Sequence, residues 1–342
     1  MPNLPKPRLR RAGRARRLAA SAPEPAERKP NVETITAEGL RWVNIEHPSP
    51  LECAWLEEQF GFHALDLEDV LSRNQRPKID EYPEYLFIVL HFPVFDRAVG
   101  RLNAGELDIF VGPDYLVTIP NQPLQPVAYL FERCRQKEEL RDQLFSNGSG
   151  FLLYKIVDDS FDYCFPMLRK IGNKLDALEE EIFSGKSEEV VRDIFNVKQE
   201  IINFRKIIRP QRPVLRDLER TKQRFLAVRE GEDLEIYFDD IVDAHERIWD
   251  MLENDKEVVE ALEETNESVI SHRVNDILRV LTVISVLLLP LTLVASIFGM
   301  NVGLPGDNAP QAGIGVAFWI IIGVMIVVFG GLLALFRRRG WL

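Results

Sequence analysis

Residues 275–301 read NDILRVLTVISVLLLPLTLVASIFGMN, and no side chain from Val280 to Phe298 carries a charge. At ~1.5 Å per helical residue this run is long enough to cross the hydrocarbon core of a bilayer. The pattern predicts a membrane helix over residues 280–301 that ends in Gly299-Met300-Asn301. Its less apolar positions are ordered. Asn275, Leu278, Thr282, Ser285, Leu289, Thr292 and Ser296 follow one another at alternating spacings of three and four, which places them on one helix face. The other faces carry Val283, Ile284, Val286, Leu287, Leu288, Leu291 and Leu293, suited to lipid or to apolar neighbours. Two readings fit such a stripe: small and hydroxylic residues let helices approach closely, or they line a water-filled path. The end of the helix favours the second. Gly299 invites unwinding, the last carbonyls lack intrahelical partners, and the negative end of the helix dipole faces whatever enters, so the mouth suits cations.

Working back from the span, residues 234–289 contain neither Gly nor Pro, so one helix of roughly 85 Å reaches Pro290 at ~1.5 Å per residue. It forms a stalk over residues 233–279. Ala244, Ile248, Met251, Val258 and Leu262 give it an apolar stripe, and Glu253, Glu257, Glu260, Glu263, Glu264 and Glu267 a solvated charged face. Residues 150–232 are heptad-like and densely charged, predicting antiparallel helical arms: a helix over 151–183, a hairpin at Ser184-Gly185-Lys186, and a helix from an N-cap at Ser187 to residue 209. Pro210 and Pro213 interrupt that second arm, which resumes to residue 229.

Residues 37–149 mix β-rich and helical runs and predict a compact α/β domain. Residues 41–46, 85–96, 107–111 and 115–119 read as strands, with Gly112-Pro113-Asp114 as the turn between the last two, and residues 50–60, 65–71 and 125–140 read as helices. Residues 1–36 are rich in Arg, Pro and Ala with few large apolar groups, the composition of a disordered basic tail that can touch anionic lipid. Beyond the first span, an uncharged stretch over 314–336 predicts a second. The loop 302–313 between them has no Lys or Arg, whereas Arg337, Arg338 and Arg339 open a basic tail over 337–342. The positive-inside rule therefore places both termini in the cytoplasm, and Trp319 and Trp341 stand at interfacial positions. The fold class is an α+β cytoplasmic domain followed by long helices and two transmembrane helices.

The composition excludes several functions. A net charge of −11 argues against a nucleic-acid partner. Cys53, Cys134 and Cys164 are widely separated and odd in number, which gives neither a disulfide frame nor a zinc site and fits a reducing compartment. The histidines are equally dispersed, and no nucleotide-binding glycine loop or recognisable catalytic constellation appears, so the chain is not read as an enzyme.

Gly299-Met300-Asn301 closing a first span, then a short loop, a second span and a basic C-terminus, resembles the CorA family of magnesium channels. The resemblance extends over residues 40–342 and includes Gln75-Arg76-Pro77-Lys78 and Tyr237-Phe238. It implies a funnel-shaped homopentamer in the inner (plasma) membrane, with the first span around the pore and the second outside it. Mg2+ is then both the transported and the regulatory ion, with no organic cofactor, and the partners are further copies of the chain, membrane lipid and divalent cations. Gly299, Met300 and Asn301 match the selectivity filter. Asn275, Leu278, Leu281, Thr282, Ser285, Leu289, Thr292 and Ser296 match the pore lining, with Leu278, Leu281 and Leu289 at the hydrophobic constriction. Asp96 and Asp240 match an aspartate pair that binds regulatory ions between neighbouring subunits.

Three departures from the family's commonest pattern bear on the ion. Phe298 replaces a frequent Tyr, Leu289 stands where Met is common, and the loop carries only Asp307 as an acid. Sparse loops of this kind also occur in ZntB-type zinc transporters of the same superfamily. A membrane-tethered ion-sensing scaffold that does not conduct is an alternative of another class.

Overall fold

The computed structural model describes residues 29–72, 75–96, 100–184, 187–221, 234–299 and 316–341. Most of the expected basic tail, the continuation of the second arm to residue 229, Met300, Asn301 and the loop 302–313 lie outside the described residues.

Six strands form one sheet: β1 (Glu33–Ala37), β2 (Leu40–Asn44), β3 (Lys78–Glu81), β4 (Leu86–Asp96), β5 (Arg101–Val111) and β6 (Tyr115–Pro120), in the order β1-β2-β6-β5-β4-β3. Among the described residues, only the β2/β6 pairing is parallel. The period of two sorts β4 into two cores. Leu86, Ile88, Leu90 and Phe92 face one side, and Phe87 and Val89 the other. The second side is covered by α1 (Pro50–Phe60) and α2 (Ala64–Leu71) through Cys53, Leu56, Leu67 and Val70. Ser49 starts α1 with a reciprocal capping box to Glu52, and Gly61, at φ 70°, ends it in the left-handed conformation. The first side is covered by α3 (Gln125–Gln136), α4 (Glu138–Phe145) and α5 (Gly148–Asp162).

Several sequence expectations need correction here. β1 lies largely inside the stretch assigned to the tail, so Glu33–Ala37 belongs to the sheet and not to that tail. It is an edge strand in which Ile35 alone is fully buried, leaving little hydrophobic signal. The strand expected at 107–111 begins at Arg101, because Asn103, Glu106 and Asp108 mask the apolar alternation. β3 was not anticipated, as Lys78-Ile79-Asp80-Glu81 has only one apolar residue. The helix expected over 125–140 breaks at Lys137, which is extended at φ −114°, ψ 104°. The one expected over 151–183 breaks at Tyr163, where Pro166 cannot donate back into α5 but is tolerated in the first turn of α6 (Cys164–Ser184). The arms therefore begin at α6, since α5 still covers the sheet.

α6 and α7 (Ser187–Ile208) run antiparallel and pack against α9 (Leu234–Phe298), with α8 (Arg212–Thr221) following a 3-10 turn at Arg209–Gln211. α9 has 65 residues, about 100 Å of unbroken rod at ~1.5 Å per residue. Its buried seam runs through Ile248, Leu252, Asp255, Val259, Leu262 and Asn266. Ile248 and Leu262 belong to the stripe anticipated from sequence, but Val258 points outward and Val259 inward. The position of the arms selects the buried face. Ion pairs hold α7 and α8 on α9: Lys198 to Glu263 at 2.5 Å, Arg205 to Glu253, and Arg212 and Arg216 to Glu246 at 2.8 and 3.1 Å. Each is worth little by itself at such exposure, yet together they specify the antiparallel register. α10 (Val316–Arg338) is the second apolar helix and runs about two residues past the expected end at 336.

Gln211 ties the helical arms to the sheet. Beyond Val89, β4 has no neighbouring strand on its β3 side among the described residues. There the buried Gln211 side chain accepts from His91 N–H at 3.0 Å and donates to His91 C=O at 2.6 Å, completing the ladder as a strand would. Gln211→Ala leaves both backbone groups without those partners and is expected to destabilise the full-length protein by about 2 kcal/mol or more. Thermal unfolding of the purified protein reads this directly, and an unchanged midpoint contradicts the assignment.

Candidate functional site

The candidate site is the last third of α9, where two helices are long and apolar enough to cross a membrane. α10 covers only one side of α9: Val283 and Leu287 are 1% and 7% exposed, buried against Phe336 and Leu332. The stripe faces the other way. Asn275, Thr282, Ser285, Thr292 and Ser296 are exposed, as are Leu278, Leu281 and Leu289 at 52%, 58% and 66%. At 3.6 residues per turn, roughly 160° separates the middle of the stripe from the middle of the Val283–Leu287 contact. The structure thus brings all eight pore-lining candidates onto the side that α10 leaves open.

Three hydroxyls on this face turn back onto their own helix. Thr282 Oγ1 donates to Leu278 C=O at 2.7 Å, Ser285 Oγ to Leu281 C=O at 2.8 Å, and Thr292 Oγ1 to Leu289 C=O at 2.9 Å. Each donor is satisfied within hydrocarbon while the oxygen keeps acceptor capacity toward the open side. Pro290 lies inside the helix and has no N–H to give to the carbonyl of Val286, so the ladder lacks one rung within the span. At the helix end, Gly299 N–H still donates to Ala295 C=O at 2.9 Å. A Cβ at Gly299 would stand 3.1 Å from that same oxygen, tight enough to require a local shift. Gly299 is the described member of the expected filter triplet; Met300 and Asn301 lie outside the described residues.

The two expected regulatory aspartates occupy different elements. Asp96 closes β4 opposite Arg101, and its Oδ2 accepts from Asn103 Nδ2 at 3.4 Å. Asp240 is exposed in the second turn of α9. A feature not recognised from sequence surrounds it. Asp158, Asp159 and Asp162 on α5 share its neighbourhood, and burial, with these charges and Asp240 adding, holds the Asp162 carboxyl above the usual carboxylate range. Lys155 partly offsets them through Asp158 at 2.9 Å and Asp159 at 2.8 Å. The signal available in sequence was the i, i+4 spacing of Asp158 and Asp162, which puts both on one helix face. Among the described residues, no group of three or more His, Cys, Asp or Glu side chains is placed to hold a metal ion.

An α/β domain followed by a rod of about 100 Å, whose last third is apolar with an uncovered polar stripe, and by a second apolar helix defines a two-span helical membrane protein. The sequence profile of the family described as "CorA-like Mg2+ transporter protein" matches residues 37–338, and the chain belongs to that family. The family is one of ion transporters, not enzymes. The chain is 29% identical to the cobalt/magnesium transport protein CorA of Thermotoga maritima over 303 residues, covering 88% of this chain and 83% of that one. Its fold matches the complete structure of the CorA magnesium transporter from Methanocaldococcus jannaschii at a TM-score of 0.75 and 24% identity, over 90% of this chain and 94% of that one. A more distant match, with a TM-score of 0.51 and 16% identity, is the ZntB cytoplasmic domain from Vibrio parahaemolyticus, which covers 68% of this chain and 88% of that domain.

Cys53, Cys134 and Cys164 are all buried, so thiol labelling of the full-length protein has little native background. Single cysteines replacing Thr282, Ser285 or Thr292 are expected to react with membrane-impermeant thiol reagents, and those replacing Val283 or Leu287 to be protected. The reverse pattern overturns the assignment of faces.

Proposed function

We propose that the protein conducts Mg2+ down the membrane potential through a homopentameric pore lined by the stripe of α9. The observation that carries this reading is the stripe itself, opposite the face that α10 covers and ending at Gly299-Met300-Asn301. One chain with two spans cannot enclose a path, so the open faces of several copies must meet around an axis, and closed cyclic symmetry is the usual arrangement. The count of five is adopted from the family resemblance. Arg337 and Arg338 in the last turn of α10, with Arg339 beyond, support a plasma-membrane protein with both termini in the cytoplasm, as the positive-inside rule would have it.

Mg2+ releases its waters reluctantly, so its filter holds a hydrated ion by neutral dipoles and does not strip it with carboxylates. Met300 and Asn301 with the exposed carbonyls at the helix end supply such dipoles, and the span contributes no acid. Further in, rings of Leu278, Leu281 and Leu289 close the path by excluding water. The membrane potential supplies about 4.6 kcal/mol per 100 mV for a divalent ion, twice the ~2.3 for a unit charge. Cytoplasmic Mg2+ held between subunits by Asp96 of one copy and Asp240 of another keeps the channel shut.

Zinc transport on the same fold is the second reading, and the observation favouring it is a loop with Asp307 as its one acid. Flux of Mg2+, Zn2+, Co2+ and Ni2+ into liposomes separates the two. Asn301→Ala is expected to abolish selective Mg2+ uptake while leaving assembly intact, because the amide contributes both a carbonyl and N–H donors that Ala lacks; wild-type flux and selectivity in that variant refute the filter assignment. Replacing Thr282, Ser285 and Thr292 by Val should likewise impair flux, and full tolerance would favour a non-conducting scaffold. Asp96→Asn with Asp240→Asn should remove the protection that Mg2+ gives against proteolysis; protection equal to wild type rejects the pair.

A further inference from the structure

The α9 seam against the arms is apolar except at His245, Asp255 and Asn266. Ile248, Leu252, Asp255, Val259, Leu262 and Asn266 alternate at spacings of four and three, so Asp255 shares the buried face of α9 whose apolar members form one core cluster with residues of α6 and α7. Its side chain is 9% exposed, and its Oδ2 is buried without a hydrogen-bond partner.

The charged groups around it do not neutralise it. From α6, the group acting on Asp255 is Asp176, a second carboxylate. From α7, Lys198 is paired with Glu263 and Arg205 with Glu253, while Glu200 is paired with Lys174 of α6. On α9 itself, Lys256 faces Glu260 at 3.4 Å. A buried carboxylate beside a like charge is costly, and the neutral acid buries far more cheaply.

We propose that Asp255 is a proton-operated latch between the stalk and the arms: protonated, it completes the seam, and ionised, it is repelled by Asp176 and loosens α6 and α7 from α9. Burial, with the charge of Asp176 adding, raises the Asp255 carboxyl to about 6. An acid raised in the folded state stabilises the fold most below its ordinary value, near 3.9 in an unfolded chain, and that contribution is lost as pH rises to the folded value. The loss is complete near neutrality. Because α9 continues without a break into the first span, loosening of the seam is carried on the same rod toward the membrane. His245 has the opposite sign. It is buried against Ile208 C=O, and burial with the charges of Arg212 and Arg216 lowers it, so acidification destabilises the protein there.

The test is thermal unfolding of the full-length protein in detergent with EDTA, from about pH 5 to pH 8, comparing wild type with Asp255→Asn, Asp255→Leu and Asp176→Asn. Relative to Asp255→Asn, wild type is expected to lose several degrees of midpoint as pH rises from about 5 to 7, the scale of a change of one to two kcal/mol in a domain of this kind. Asp176→Asn should move that loss to lower pH, because removing the neighbouring charge lets Asp255 ionise at lower pH and leaves less to lose across the window; the loss seen above pH 5 should therefore shrink. Asp255→Leu should unfold above wild type near pH 8 and keeps the test decisive if the Asn variant does not fold. Parallel pH profiles for wild type and both Asp255 variants, or an unchanged profile in Asp176→Asn, overturn the latch. None of these readings depends on conduction, so they stand or fall apart from the proposed pore.

Discussion

A chain segment in hydrocarbon must satisfy its own backbone hydrogen bonds, and a helix is the form that does so within one segment. In this protein that requirement extends well beyond the bilayer, because the first span is the end of α9, a helix of 65 residues that begins beside the α/β domain. The arms pack along its first part, α10 along its last, and Gln211 links the arms to β4. A long rod has few ways to bend sharply; Pro290 is its one internal proline, and it lies within the span. Changes in packing along the stalk are therefore changes in the position of a helix that also enters the membrane.

The two ends of this rod obey opposite packing rules. Along the arms, the hydrophobic effect buries a heptad-like seam, and the acids flanking it take basic partners from α7 and α8. In the span, lipid is as apolar as Leu, so burial distinguishes faces less strongly than the cost of an unpaired polar group does. Val283 and Leu287 take α10, and hydroxyls at 282, 285 and 292 return to backbone carbonyls. The polar side is consequently stable in a single chain yet remains open to water or to further copies.

The α/β domain is built on the opposite economy of contacts, with a sheet buried on both faces and helices on each side. Its strand β4 belongs to two cores and, through His91, to the helical arms as well. The acidic group of Asp158, Asp162 and Asp240 lies where α5 meets α9, so electrostatic strain there acts on the junction between domain and stalk. Family membership and the transport class follow from the match over residues 37–338.

The sequence by itself determined the features that depend on local chemistry: two spans from the absence of charge, a continuous stalk from the absence of Gly and Pro in residues 234–289, and the common face of Thr282, Ser285 and Thr292 from their spacing. It also carried the family resemblance in Gly299-Met300-Asn301. The tertiary structure decided what depends on partners distant in the chain. β1 and β3 became strands because neighbours supplied hydrogen bonds that their own composition did not announce. Val259 was buried in preference to Val258, and Asp255 entered the seam, because the arms lie on that side of α9. Periodicity defines which residues share a face, whereas only the placement of α6, α7 and α10 decides which face is covered.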